Sequence, residues 1–232
     1  MPTTDFTLDP DGPSEAVENA AFVLALRERG VRETSVLRAM ERVPREGFAP
    51  AAFRDLARQD LALPLACGAT MTAPIVVATM LTALKLAPGA RILEIGTGSG
   101  YATALLVALG AASVTSLERY ATLAASARAR LDEAGPARVI QADGLARLGD
   151  VHLGEARLGD ARFDRILVNG TVPSLPRAWI DALAPGGRLV AGLAGPGGSR
   201  LVSVERGDTG LTETLGAPFR LASLQPGLAR VT

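Results

Sequence analysis

The chain has 232 residues, a length that suits one large α/β domain burying roughly three quarters of its unfolded surface. Twenty-four basic residues balance 24 acidic ones, every basic one but Lys85 is arginine, and no run of like charge accompanies them; nucleic acid is therefore not an expected partner. The single cysteine, Cys67, and the lack of any C-x-x-C or Cys/His cluster exclude an internal disulfide and a zinc or iron–sulfur site, and point to a reducing, cytoplasmic setting.

In chain order, residues 1–13 carry Asp5, Asp9 and Asp11 among prolines, without apolar periodicity, and read as a mobile tail. The spacing Val17, Ala21, Leu24 predicts a helix from Ser14 that Gly30 stops, and a second helix is expected from about Glu33 through Val36, Leu37 and Met40 before Pro44. The apolar run Ala20–Leu26 is too short for a signal core or a membrane span and follows acidic Glu15 and Glu18, so neither export nor anchoring is expected. Turn residues crowd 43–65, and Ala73–Leu86 predicts a helix with Pro74 in its first turn. Short β-type runs at Arg91–Ile95, Ser113–Leu117, Arg138–Gln141 and Arg165–Val168 then alternate with helical stretches at Tyr101–Leu109, Ala121–Glu133 and Pro176–Leu183. This rhythm predicts an α/β fold with a mostly parallel sheet and helices on both faces. After Pro185-Gly186-Gly187, the segments Arg188–Leu193 and Leu201–Glu205 flank a Gly195–Gly198 turn and predict an antiparallel C-terminal edge. The pentapeptide Ala-Arg-Leu-Gly-Asp occurs at 146–150 and again at 156–160, and reads as a loop insertion.

The stretch Arg91–Tyr101 runs an apolar strand into Gly96, Gly98 and Gly100, which open a helix; glycines here permit a tight turn and let a ligand lie against the backbone near a helix N-terminus. Such a loop alone also binds dinucleotides or merely turns the chain. Its neighbours discriminate: Glu94 lies inside the strand, Glu118 ends the next strand, where an acidic side chain can accept ribose hydroxyls, and Asp143-Gly144 follows the third. Together these resemble the class I S-adenosylmethionine-dependent methyltransferases, which implies a Rossmann-like fold. The resemblance implies a cofactor site of Glu94, Gly96, Thr97, Gly98, Ser99, Gly100, Glu118, Arg119, Asp143 and Gly144, with Glu118 on the ribose and Asp143 on the adenine amine.

Several methyltransferase chemistries find no support. Asn169-Gly170-Thr171-Val172 stands where amine-methylating enzymes carry an Asn/Asp-Pro-Pro-aromatic motif, and Cys67, read as a buried small hydrophobe, has no Pro-Cys context for cytosine chemistry. The only histidine, His152, falls in the insertion and makes a poor general base. A carboxylate needs none, being ionised at neutral pH. Arg29-Gly30-Val31, Val43-Pro44-Arg45-Glu46-Gly47-Phe48, Asp60–Leu65, Gly68–Pro74, Asp164–Val168 and Leu183–Val190 resemble the protein-L-isoaspartate O-methyltransferase family over roughly Ala25 to Glu205.

That resemblance implies methyl esterification of the free carboxylate of isoaspartyl residues in damaged proteins, after which methanol is lost to a succinimide and normal aspartate is partly restored. It implies Thr72, with Thr70, as catalytic residues where the family has Thr-Ile-Ser-x-Pro, and Ala69, Met71 and Asn169 as substrate-binding residues; no metal is called for. Two departures stand out: Asn169-Gly170-Thr171 replaces a Thr-Ala-Ala-type run, and an aromatic near Arg58 is missing. Thr70 or Thr72 could instead cap the helix at Pro74. Trp179 reads as packing, Arg177 is open, and the protein is expected to be a monomer in one domain, 14–232, comprising a helical extension to 86 and a core from 87. A relative acting on a small-molecule carboxylate or hydroxyl, and a non-catalytic cofactor-binding adaptor, stay as alternatives.

Overall fold

The computed structural model describes residues 15–131, 135–153 and 156–229. The expected tail, 1–13, lies outside them. The chain opens with helices α1 (Glu15–Glu28) and α2 (Thr34–Arg42), followed by short 3-10 turns and a two-residue ladder pairing Leu63 with Met71 and Pro64 with Thr70. Helix α3 (Pro74–Leu84) leads into the alternating core: β1 (Arg91–Ile95), α4 (Tyr101–Ala108), β2 (Ser113–Glu118), α5 (Ala121–Arg130), β3 (Ala137–Gln141), β4 (Phe163–Val172), α6 (Arg177–Asp181), β5 (Leu183–Gly195), β6 (Gly198–Gly207) and β7 (Gly210–Phe219). One sheet of seven strands results, in the order β7-β6-β5-β4-β1-β2-β3. Strands β3, β2, β1, β4 and β5 run parallel, and β6 and β7 add antiparallel to β5. The fold is the Rossmann-like class I methyltransferase architecture that the sequence predicts.

Alternation along the strands divides the core between the two faces. Ile92, Val114, Leu167 and Val190 pack with residues of α2, α3 and α4, whereas Leu93, Ile95, Ile166, Val168, Leu189 and Val202 pack with Trp179, Ile180, Leu148 and Leu158. The second face carries little helix: α6 is five residues long rather than the expected eight, and the segment between β3 and β4 covers the remainder. The repeated pentapeptide builds that cover as two 3-10 turns, Leu148–Asp150 and Leu158–Asp160, whose leucines are both buried and whose glycine backbones touch; a Cβ on Gly159 would lie 2.8 Å from Gly149 Cα. The insertion is thus part of the core.

One expectation is corrected, and two features lie outside what the sequence pattern shows. Helix α1 buries Phe22 and Leu26, and Val17 and Leu24 face solvent, because α1 packs on α2 through a different stripe from the one the spacing suggested. Cys67 is not a buried hydrophobe; it is half-exposed in a turn at φ +61°. Strand β7 is an element that the sequence pattern does not mark. Its residues are almost all exposed, so the alternation that marks a half-buried strand is absent.

Candidate active site

Parallel sheets place ligand sites at the carboxyl ends of their strands, and here the ends of β1, β2, β3 and β4 converge on one cleft of about 270 Å³. The loop after β1 has Gly96, Gly98 and Gly100 at φ +89°, +55° and +88°, a region that side chains with Cβ rarely adopt. A Cβ on Gly96 would approach the Asn169 carbonyl to 3.3 Å, so β1 and β4 abut beneath the loop. Gly100 serves packing: it precedes α4, and its Cβ would meet Ala127 on α5 at 3.3 Å.

Glu94 is fully buried one layer below the loop and is not among the residues that border the cleft. At its place in β1 the side chain points toward α4, as Ile92 does. Its Oε2 accepts Thr103 Oγ1 at 2.5 Å and Ser116 Oγ at 2.6 Å, and its Oε1 accepts Asn169 Nδ2 at 2.7 Å. With Glu94 ionised, Ser116 donates to it, and the 2.5 Å contact between Thr97 and Ser116 is then donated by Thr97. Burial pushes the Glu94 carboxyl up to about 7, against the pull of the three hydrogen bonds. Thr97 and Asn169 are thereby tied to one buried carboxyl.

Glu118, at the end of β2, accepts the Gly98 N–H at 2.9 Å and the Tyr120 N–H at 3.0 Å. An ionised carboxylate has about four acceptor positions. Two of these positions are therefore unused by the described residues, and Glu118 borders the cleft. Asp143 accepts Leu145 N–H at 2.9 Å and Gly227 N–H at 2.6 Å, with the same capacity in reserve.

The second partner of Asp143 belongs to a C-terminal strap, 221–229, that sequence reasoning missed. The strap pairs with Thr171 through backbone bonds of 2.8 and 2.9 Å and with Tyr120 through Ala229. Arg119 Nε and Nη2 hold the Gly227 and Pro226 carbonyls, and its guanidinium lies 4.5 Å above the Tyr120 ring. Ala222, Ser223, Leu224 and Gln225 consequently line the cleft. No glycine pattern or charge spacing marks them.

The opposite wall is Gly68–Thr72, ending at the N-terminus of α3. Neither Thr70 nor Thr72 caps that helix: its N-cap is Ala73, without a side-chain bond, and the Ile75 N–H is taken by Asp60 Oδ1 at 3.0 Å. The capping alternative is thereby removed, and both threonines line the cleft. All the residues assigned to the site border this cleft except Glu94 and Gly100; Tyr101, Tyr120 and the strap are additions. Trp179 is fully buried and donates to the Gly144 carbonyl at 2.8 Å, so it packs, while Arg177 is exposed and pairs with Asp181. His152 sits in a two-residue ladder with Arg157, and its side chain lies outside the described residues. Among the described residues no cluster of three His, Cys, Asp or Glu could hold a metal ion.

The glycine cradle and the two acidic residues at the rim of one cleft fit S-adenosylmethionine. Comparison with known proteins bears on the same point. Residues 17–214 match the family model for Protein-L-isoaspartate(D-aspartate) O-methyltransferase. The chain is 46% identical over 217 residues to Protein-L-isoaspartate O-methyltransferase 2 of Rhodopseudomonas palustris strain HaA2, covering 92% of this chain and 95% of that one. It is 44% identical over 220 residues to the Protein-L-isoaspartate O-methyltransferase of Xanthobacter autotrophicus strain Py2, covering 94% and 97%. A crystal structure from Plasmodium falciparum, described as a protein-L-isoaspartate O-methyltransferase in complex with S-adenosyl-L-homocysteine, superposes with a TM-score of 0.74 at 20% identity, covering 89% of this chain and 98% of that one; at that identity the likeness concerns the fold.

Proposed function

The chain belongs to the protein-L-isoaspartate(D-aspartate) O-methyltransferase family, and from that premise we propose how its own residues methylate the free carboxylate of an isoaspartyl residue. Bound S-adenosylmethionine supplies a methyl group already activated on sulfur, so a carboxylate oxygen forms the new C–O bond as the C–S bond breaks and no proton has to move. Among the described residues the cleft lining includes no histidine.

The protein's work is positioning, which can supply roughly 7–11 kcal/mol of a barrier. The loop Gly96–Ser99 holds the methionine end, the open acceptor positions of Glu118 take the ribose hydroxyls, and Asp143 takes the adenine amine. The strap closes over that end through Arg119 and excludes water. Thr72, with Thr70, donates a hydroxyl to the substrate carboxylate and so aims one oxygen at the methyl carbon; Ala69 and Met71 form the adjoining wall. Asn169 spends both amide hydrogens on Glu94 and Gly96, so it offers the cleft an acceptor, suited to a substrate or cofactor N–H rather than to the carboxylate.

The observation that carries this reading is that Thr72 and the glycine loop border a single cleft. The substrates are damaged proteins or peptides containing isoaspartate. The enzyme works as a monomer in the cytoplasm, without nucleic acid or membrane, in keeping with its balanced charge; no described helix is long and apolar enough to cross a membrane. The test is a pair of variants. Thr72→Ser should keep kcat/KM within a few-fold, and Thr72→Val should lower it by about tenfold to a hundredfold, the worth of a hydrogen bond to a charged group, with S-adenosylhomocysteine affinity unchanged. Equal activity in Thr72→Val would remove Thr72 from the mechanism.

A further inference from the structure

We propose that Arg45 is a positioning residue for methyl transfer, fixing the catalytic hydroxyl of Thr72 by holding the Thr72 carbonyl; this inference rests on the role given to Thr72 above.

Arg45 sits in the 3-10 turn after α2 and is only 1% exposed. Its Nη1 donates to the Ala57 carbonyl at 2.5 Å, and its Nη2 donates to both the Leu61 and Thr72 carbonyls at 3.0 Å. The geometry explains the need. The ladder that pairs Leu63 with Met71 ends there, and beyond it Leu61 and Thr72 both present acceptors. Two carbonyls cannot bond each other, and a single Nη2 with two hydrogens joins them. Thr72 is then held between the ladder on one side and Ala73, the N-cap of α3, on the other.

Stability is a poor reason for this arrangement. Neither neighbouring carboxylate forms an ion pair with it: Asp60 pairs with Arg29 and Glu46 with Arg58, and Asp60 favours the guanidinium charge only through space. Among the described residues Arg45 Nε finds no hydrogen-bond partner. Burial lowers the guanidinium to about 10, so it stays charged at neutral pH and desolvated. Buried charges of this kind are often matched or bettered in stability by apolar replacements. What an apolar side chain cannot do is clamp the carbonyls of Ala57 and Leu61 in one loop and of Thr72 in another at fixed distances. The planar fork of Arg suits that task, and the single ammonium of Lys does not.

If Arg45 acts through Thr72, the two residues must be energetically coupled. The experiment is a double-mutant cycle of Arg45→Lys and Thr72→Val, read as kcat/KM for an isoaspartyl peptide, with S-adenosylhomocysteine affinity measured in parallel. Arg45→Lys alone should lower kcat/KM by about tenfold or more, since sub-ångström misplacement is costly, and should leave S-adenosylhomocysteine binding unaltered. Added to Thr72→Val, it should change kcat/KM by less than about twofold. Full additivity would overturn the proposal and make Arg45 a scaffold residue. No effect of Thr72→Val alone would overturn it for a different reason, the failure of Thr72 itself. Arg45→Gln repeats the cycle with a neutral side chain should the lysine variant not fold, under the same criteria.

Discussion

The side-chain amide of Asn169 lies 2.7 Å from Glu94 Oε1 and 3.1 Å from the Gly96 carbonyl, so one residue at the end of β4 joins the buried carboxyl of β1 to the first glycine of the loop. Both contacts are acceptors, which fixes the orientation of the amide. Asn169→Leu removes both links. Its expected effect is a loss of about tenfold in S-adenosylhomocysteine affinity, seen by calorimetric titration, because the loop must then be ordered on binding. An unchanged affinity would show that the loop holds its shape without Asn169.

The Glu94 carboxyl predicts a pH dependence of stability. Burial raises it from 4.5 in the unfolded chain to about 7 in the folded one. The folded state therefore holds its proton more tightly, and the associated stability is fully present below about pH 4.5 and lost as pH rises through 7. The full span is roughly 3 kcal/mol. Urea denaturation at pH 5 and pH 8 should show the stability of the wild type falling relative to Glu94→Gln, which cannot titrate. A difference independent of pH would contradict the assignment.

Arg119 holds the strap through the Pro226 and Gly227 carbonyls. Arg119→Ala should speed hydrogen exchange of the amides at 224–229, notably the Gly227 N–H bonded to Asp143, while β1 and β2 keep their protection. Gly170→Ala reaches the strap from below, since its Cβ would fall 2.4 Å from Leu224 Cγ. Both variants should bind S-adenosylhomocysteine more weakly. Unchanged exchange in both would mean that backbone pairing to Thr171 and Tyr120 suffices to hold the strap.

Trp179 supports the Asp143 turn from the other face. Trp179→Phe leaves the Gly144 carbonyl without its 2.8 Å donor and should cost about 1–3 kcal/mol. Trp179→Ala opens a cavity as well and should cost about 3–5 kcal/mol. Thermal unfolding of the two variants gives the ranking, and an equal loss in both would argue that packing alone matters.

Much of the architecture is legible in the sequence because its signals are local. Arg91–Ile95 runs into three glycines, and the strand is found there to the residue; Pro74 opens α3 as a proline in a first turn should. Legibility fails where a neighbour distant in sequence decides. The stripe Val17, Ala21, Leu24 has helical spacing, yet the face opposite it meets α2. Glu94 reads as a ligand beside a glycine loop, and only the packing of α4 and the register of β2 show that Thr103 and Ser116 enclose it. Asp60 at the start of α3 and Arg45 beneath Thr72 depend on the chain folding back over 15 and 27 residues. The strap crosses from β7 to β2, 84 residues from Asp143, and no spacing rule reaches so far.

The most direct test of the account is transfer of labelled methyl from S-adenosylmethionine to a short isoaspartyl peptide and to its aspartyl twin, by the wild type and by Thr72→Val. The account predicts base-labile label on the isoaspartyl peptide, none on the twin, and a strong loss in the variant with cofactor binding intact. Equal labelling of both peptides, or label on neither while S-adenosylhomocysteine still binds, would contradict it.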